Sequence, residues 1–62
     1  NYIITEINGV KHYVRRYRIA SSGYIGVTMV TTNIGKAKDF LSKERVQSVF
    51  KKMGIGYAIE IN

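Results

Sequence analysis

The chain has 62 residues, no cysteine and a net charge of +6, with ten lysines and arginines against four carboxylates. A chain this short forms one domain over residues 1–62 and buries only about 60% of the surface its unfolded form exposes. Lack of thiols excludes disulfides and thiolate metal sites, so stability rests on packing, alone or with an oligomer interface. No apolar run approaches the roughly 20 residues of a membrane span, and no charged-then-apolar leader is seen. A cytoplasmic location with no membrane partner is therefore expected.

Residues Tyr2 to Ile7 alternate with β-branched and aromatic types, as a strand does. Asn8-Gly9 then supplies a two-residue type I′ turn, because both residues accept positive φ. Such a turn sets Ile7 opposite Val10, Thr5 opposite His12 and Ile3 opposite Val14, on a face assigned to the core. The other face carries Tyr2, Ile4, Glu6, Lys11, Tyr13 and Arg15, with Glu6 across from Lys11. The second strand runs to about Ile19, and Ala20-Ser21-Ser22-Gly23 reads as a turn. Tyr24 to Thr32 is a third strand with Ile25, Val27 and Met29 on one face. A four-residue loop pairs Val14 with Met29 but turns Arg16 and Arg18 inward. A β-bulge at Arg15-Arg16 resolves the conflict by reversing the alternation, which sends Tyr17 and Ile19 in and the arginines out.

Asn33-Ile34-Gly35-Lys36 reads as a turn, capped by Asn33, leading into a short helical piece that ends near Leu41. Ser42 caps a longer helix with Glu44 in its first turn and Lys51-Lys52 in its last, matching the helix dipole. Val46, Val49, Phe50 and Met53 make its apolar stripe. Gly54 reads as the left-handed stop residue, with Ile55 making the usual hydrophobic contact after it. Tyr57, Ile59 and Ile61 then alternate as a last strand. The expected fold is α+β, an antiparallel sheet in β-β-β-α-β order with one main helix on one face. The expected core is Ile3, Ile7, Val10, Val14, Ile25, Val27, Met29, Phe40, Leu41, Val46, Val49, Phe50, Ile59 and Ile61.

Catalysis needs positioned acids, bases or nucleophiles. His12 is the single histidine, and its register beside Thr5 suits a hydrogen-bonded structural role. The carboxylates are scattered over different elements, and Ser21, Ser22 and Ser42 fall in turns and caps. No enzyme, metal or cofactor is expected. The surplus of positive charge favours polyanions, although a charge of this size also serves solubility alone. Position separates the two readings. Lys11, Tyr13, Arg15, Arg16 and Arg18 lie along one strand, with Tyr2 and Tyr24 flanking, and together they are the expected nucleic-acid-binding residues. Their cations neutralise phosphates, and tyrosine rings stack on bases. Lys36, Lys38, Lys43, Arg45, Lys51 and Lys52 read instead as a solvated helical surface. A second copy of the chain covering the uncovered face, with tyrosines, Ile4 and Val30 at the interface, is the competing explanation.

Two resemblances accompany this reading. Thr31-Thr32-Asn33-Ile34-Gly35-Lys36-Ala37-Lys38 and the following Asp39-Phe40-Leu41-Ser42-Lys43-Glu44-Arg45-Val46 are similar to segments common in small accessory proteins of phages and prophages of Gram-positive bacteria. Tyr13-Val14-Arg15-Arg16-Tyr17, with Phe40 to Val46, also resembles the arm-type DNA-binding domain of tyrosine integrases, in which three antiparallel strands precede a helix and the sheet reads a major groove. These resemblances imply a phage-type nucleic-acid-binding domain in the cytoplasm of a bacterial host. The alternative is a protein-binding inhibitor of a host or antiviral-defence enzyme, such as a CRISPR enzyme, acting as a monomer or homodimer.

Overall fold

Asn8 and Gly9 take φ values of 52° and 78° and close the first hairpin as a two-residue turn. In the computed structural model, which describes residues 1–61, that turn joins strand β1 (Tyr2–Ile7) to strand β2 (Val10–Ile19). The pairing is the expected one: Ile7 with Val10, Glu6 with Lys11, Thr5 with His12 and Ile4 with Tyr13. Strand β3 (Ile25–Thr31) follows antiparallel to β2. Helix α1 (Lys43–Phe50) and strand β4 (Tyr57–Glu60) complete a four-stranded antiparallel sheet in the order β3-β2-β1-β4.

The second hairpin holds the main departure from simple alternation. Ala20 donates its amide to the Tyr24 carbonyl (2.8 Å), and Gly23 sits at φ 89°. Ile19 therefore pairs with Ile25, and Val14 with Val30 rather than with Met29. The expected bulge at Arg15-Arg16 is present, and a second one compensates it. From Val14–Val30 to Arg16–Met29, β2 advances by two residues and β3 by one; from there to Tyr17–Val27 the counts are reversed. The extra residues are Arg15 and Thr28. Each reverses the alternation of its own strand, so both strands change face together and the register returns to its starting value. Val14 and Tyr17 thus share the core face, as do Val30 and Val27. Met29 moves off it and is 42% exposed.

Between β3 and α1 the chain crosses the core side of the sheet. Asn33 accepts from the Gly35 amide through its side chain (2.9 Å) and caps a single 3-10 turn, Ile34–Lys36. The expected helical piece stops there, and the chain continues in irregular, non-helical form. The Lys38 amide donates to the Val14 carbonyl (3.0 Å), and the Phe40 amide to the Asn1 carbonyl (2.9 Å). These bonds fasten the crossing segment to β2 and to the start of β1 and drive Phe40 into the core at 1% exposure. Leu41 then turns outward. Its φ is 65°, and Ser42 donates its amide back to the Phe40 carbonyl (2.7 Å), which makes a γ-turn of the strained, positive-φ kind. The Ser42 hydroxyl accepts from the Arg45 amide (3.1 Å) and opens α1, with Glu44 in the first turn.

The helix ends at Phe50, with Lys51 as its cap residue. Gly54 is not the left-handed stop expected of it; a Cβ there would stand 2.7 Å from the Tyr24 hydroxyl, so what it supplies is room. Ile55, expected to pack, is fully exposed. The turn after the helix is fixed to the sheet, because the Ile25 amide donates to the Lys52 carbonyl (2.8 Å) and Met53 bridges Ile25 in parallel. Gly56, at φ 98°, leads into β4, and its carbonyl accepts from the Thr5 hydroxyl (2.7 Å).

Ile3, Val14, Phe40 and Val46 form the fully buried cluster, with Tyr17, Val27, Val49, Phe50, Met53, Tyr57 and Ile59 packed around it. Ile25 is also buried. Ile7, Val10, Leu41 and Ile61, expected inside, are 41%, 50%, 80% and 48% exposed. For Ile7 and Val10 the reason is length, whereas Leu41 is turned out by its own γ-turn. An eight-residue helix is about 12 Å long and a ten-residue strand about 33 Å, so α1 shields the middle of the sheet and leaves the first hairpin tip bare. Two stability changes follow. Phe40→Ala should cost about 3–5 kcal/mol, more than Phe50→Ala at its half-buried site, and urea melts of the two variants compare them directly. Leu41→Gly should raise stability by about 0.5–1 kcal/mol, because relief of the positive-φ strain outweighs the entropy glycine adds to the unfolded chain. A lower urea midpoint for that variant would contradict the γ-turn assignment.

Candidate nucleic-acid interface

Tyr2, Ile4, Glu6, Lys11 and Tyr13 share the uncovered face of the sheet, joined there by Ala58 and Glu60 through the β1–β4 pairing. They are spent largely on one another. Tyr2 and Tyr13 meet edge to face at 5.5 Å, and Tyr13 is only 9% exposed although no helix covers it. The Lys11 ammonium lies 5.3 Å from the Tyr13 ring centre and 2.6 Å from a Glu60 carboxylate oxygen. That hydrogen bond, with a smaller one to Tyr13, raises the Lys11 pKa above its ordinary 10.5. The lysine's contribution is thus in place below that pH and is lost only as pH rises through the raised value. Glu6, its cross-strand neighbour, is not its ion-pair partner. Glu6 and Glu60 offset Lys11 on this part of the face, which continues along β2 through Arg16 and Arg18, on the side opposite Val14 and Tyr17.

The arginines lie farther along β2. β1 pairs with Val10–Tyr13 of β2, whereas β3 pairs with Tyr13–Ile19. Continuing the first register puts Tyr2 level with Arg15, so beyond that point the β1-side edge of β2 has no strand beside it. The Arg15 bulge marks the boundary. There Arg15, Arg16, Tyr17 and Ile19, together with Lys38 from the crossing segment, line an open depression of about 510 Å³. Lys38, assigned from sequence to a solvated helical surface, is brought to the arginines by its amide bond to Val14. Among the described residues no carboxylate comes within ion-pair distance of Arg15, Arg16, Arg18 or Lys38. Tyr17 is half-buried and stacks on Phe40 at 5.9 Å with 23° between the rings. Arg18, paired with Gly26, is exposed at the next position of the face that carries Arg16. Tyr24 belongs to neither group, since its hydroxyl faces Gly54 beyond the helix exit.

His12 sits with Nδ1 2.9 Å from the Val10 carbonyl of its own strand, while the neighbouring Thr5 hydroxyl binds Gly56. No cluster of three metal-ligating side chains occurs among the described residues, and no described helix is long and apolar enough to cross a membrane. No family model matches this chain, and no curated protein or solved structure matches it either.

Asp39 holds the crossing segment in place. One of its carboxylate oxygens accepts from the Leu41 amide (2.9 Å) and from the Asn1 amino nitrogen (3.0 Å). The bond from Leu41 first, then that from Asn1, lowers the Asp39 pKa below its ordinary 3.8. A lowered carboxyl stabilises the fold fully above pH 3.8 and loses that contribution as pH falls through the lowered value. Thermal melts between neutral pH and pH 2.5 should therefore show a shallower acid slope for Asp39→Asn than for the unaltered chain. Parallel slopes would remove Asp39 from the account.

Proposed function

We propose that this domain binds nucleic acid and catalyses no reaction, using Arg15, Arg16 and Lys38 as its central contacts and Arg18 as an outer one. The observation that carries the reading is the gathering of three unpaired cations from two separate segments around one depression with tyrosine in its lining. A cation with a carboxylate partner gives up that pairing on meeting phosphate; among the described residues these have none to give up, and neutralising phosphates with them releases condensed counterions. The likeness to phage accessory proteins fits a small DNA- or RNA-associated factor working in a bacterial host.

A protein-binding inhibitor is the second reading, favoured by Leu41. This side chain is 80% exposed on a strained turn, with Lys38, Lys43 and Arg45 close in sequence, which suits an acidic partner surface with an apolar pocket. Pull-down with and without nuclease separates the two, since only a protein partner survives digestion.

Anisotropy titrations with labelled oligonucleotides should show affinity falling steeply with salt. Arg16→Ala and Lys38→Ala should each weaken binding across all sequences and flatten the log–log salt slope by about 0.7–0.9. Failure to retain any DNA or RNA at low salt would end the nucleic-acid reading.

A further inference from the structure

We infer that the depression beside Arg15 takes the exposed base faces of a single strand and selects single-stranded nucleic acid over duplex. This rests on the nucleic-acid reading above and adds the form of nucleic acid recognised. Charge alone does not distinguish the two forms, because both present phosphates. The apolar part of the site does. Tyr17 and Ile19 line the depression together with the cations, and Ile19 is left 62% exposed at the end of β2. In a duplex each base lies between its neighbours, so a protein meets phosphates outside and base edges in the grooves. The apolar surface of Tyr17 and Ile19 finds no partner there. A single strand can lay a base on it, and stacking on an aromatic ring tolerates every base because each has a π-face.

The ring is preorganised for this role. Tyr17 is held against Phe40, which is itself 1% exposed, so its rotamer is already set by folding and little side-chain entropy remains to be lost on binding. Arg15 and Arg16 on β2 and Lys38 on the crossing segment supply cations beside that ring, the combination of charged groove and stacking platform that single-strand binders use. From Arg16 to Ile19, β2 pairs with β3 on one edge and, among the described residues, has no strand on its β1-side edge. At about 510 Å³ the depression has the size of a small-ligand site, with room for a base and its phosphate but not for a double helix.

The experiment is a side-by-side anisotropy titration of the whole chain with a labelled twelve-residue oligothymidine and a duplex of the same length, at one low salt concentration. The single strand should bind about tenfold tighter. Tyr17→Phe should preserve that preference, and Tyr17→Leu should reduce single-strand binding about tenfold while leaving duplex binding unchanged. Because Tyr17→Leu touches the core, an amide NMR titration of the unaltered chain gives an independent reading. Oligothymidine should shift the signals of Arg15 to Ile19 and of Lys38. Shifts centred on Ile4, Lys11 and Tyr13 instead would overturn the site. Duplex bound as tightly as the single strand would overturn the inference and leave nucleic-acid binding standing. Polyglutamate of equal charge bound as tightly as oligothymidine would also overturn it, since no base face is then needed. Absence of binding to either oligonucleotide would overturn this inference and the broader reading together.

Discussion

One extra residue in β2 organises this domain. Without the bulge at Arg15 the strand would alternate uninterrupted, and whichever face received Val14 would also receive Arg16 and Arg18. The bulge reverses the pattern at the point where β1 ends, so that Tyr17 joins Val14 on the core side and stacks on Phe40. The matching extra residue Thr28 reverses β3 in step, and the pairing resumes with nothing lost in register. Two local defects thus cost less than burying guanidinium groups, whose desolvation amounts to several kcal/mol each.

The crossing segment depends on the same place. Val14 gives its carbonyl to Lys38 beside the bulge, and two residues later Phe40 reaches the centre of the core. For a chain with so little interior, one aromatic ring inserted from an irregular segment carries a large share of the packing. The strained turn at Leu41 is tolerated because Phe40 on one side and the Ser42 cap on the other both need their positions, and Asp39 steadies the amide between them. Local strain is retained where the surroundings over-determine it.

Electrostatics divides the surface in two. On the uncovered sheet face Lys11 is paired with Glu60 and laid over Tyr13, so charge and aromatic area are consumed internally. Beside the bulge Arg15, Arg16 and Lys38 have no such partner among the described residues and line one depression with Tyr17 and Ile19. The distinction is one of neighbours rather than composition, since both regions draw on β2.

Much of the fold was legible from residue order. Asn8-Gly9 has one favoured turn, which set the first hairpin's register and the faces of Ile3, Val14, Glu6 and Lys11; the crowding of three arginines into β2 called for a bulge; Ser42 and the Val46 stripe announced the helix. These are local rules, satisfied by neighbours in the chain. The sequence did not reveal that Thr28 would answer Arg15, that Leu41 would be thrust into solvent, or that Glu60 rather than Glu6 would hold Lys11. Nor did it show that Lys38 would join Arg15 and Arg16. Each of those depends on contacts between residues far apart in the chain. Sequence by itself determined the four strands, the main helix and the first hairpin turn, because periodicity and turn chemistry act over a few bonds. Only the tertiary structure decided which cations stand free together, because that depends on where the crossing segment lands, and a backbone hydrogen bond between Lys38 and Val14 leaves no trace in side-chain pattern.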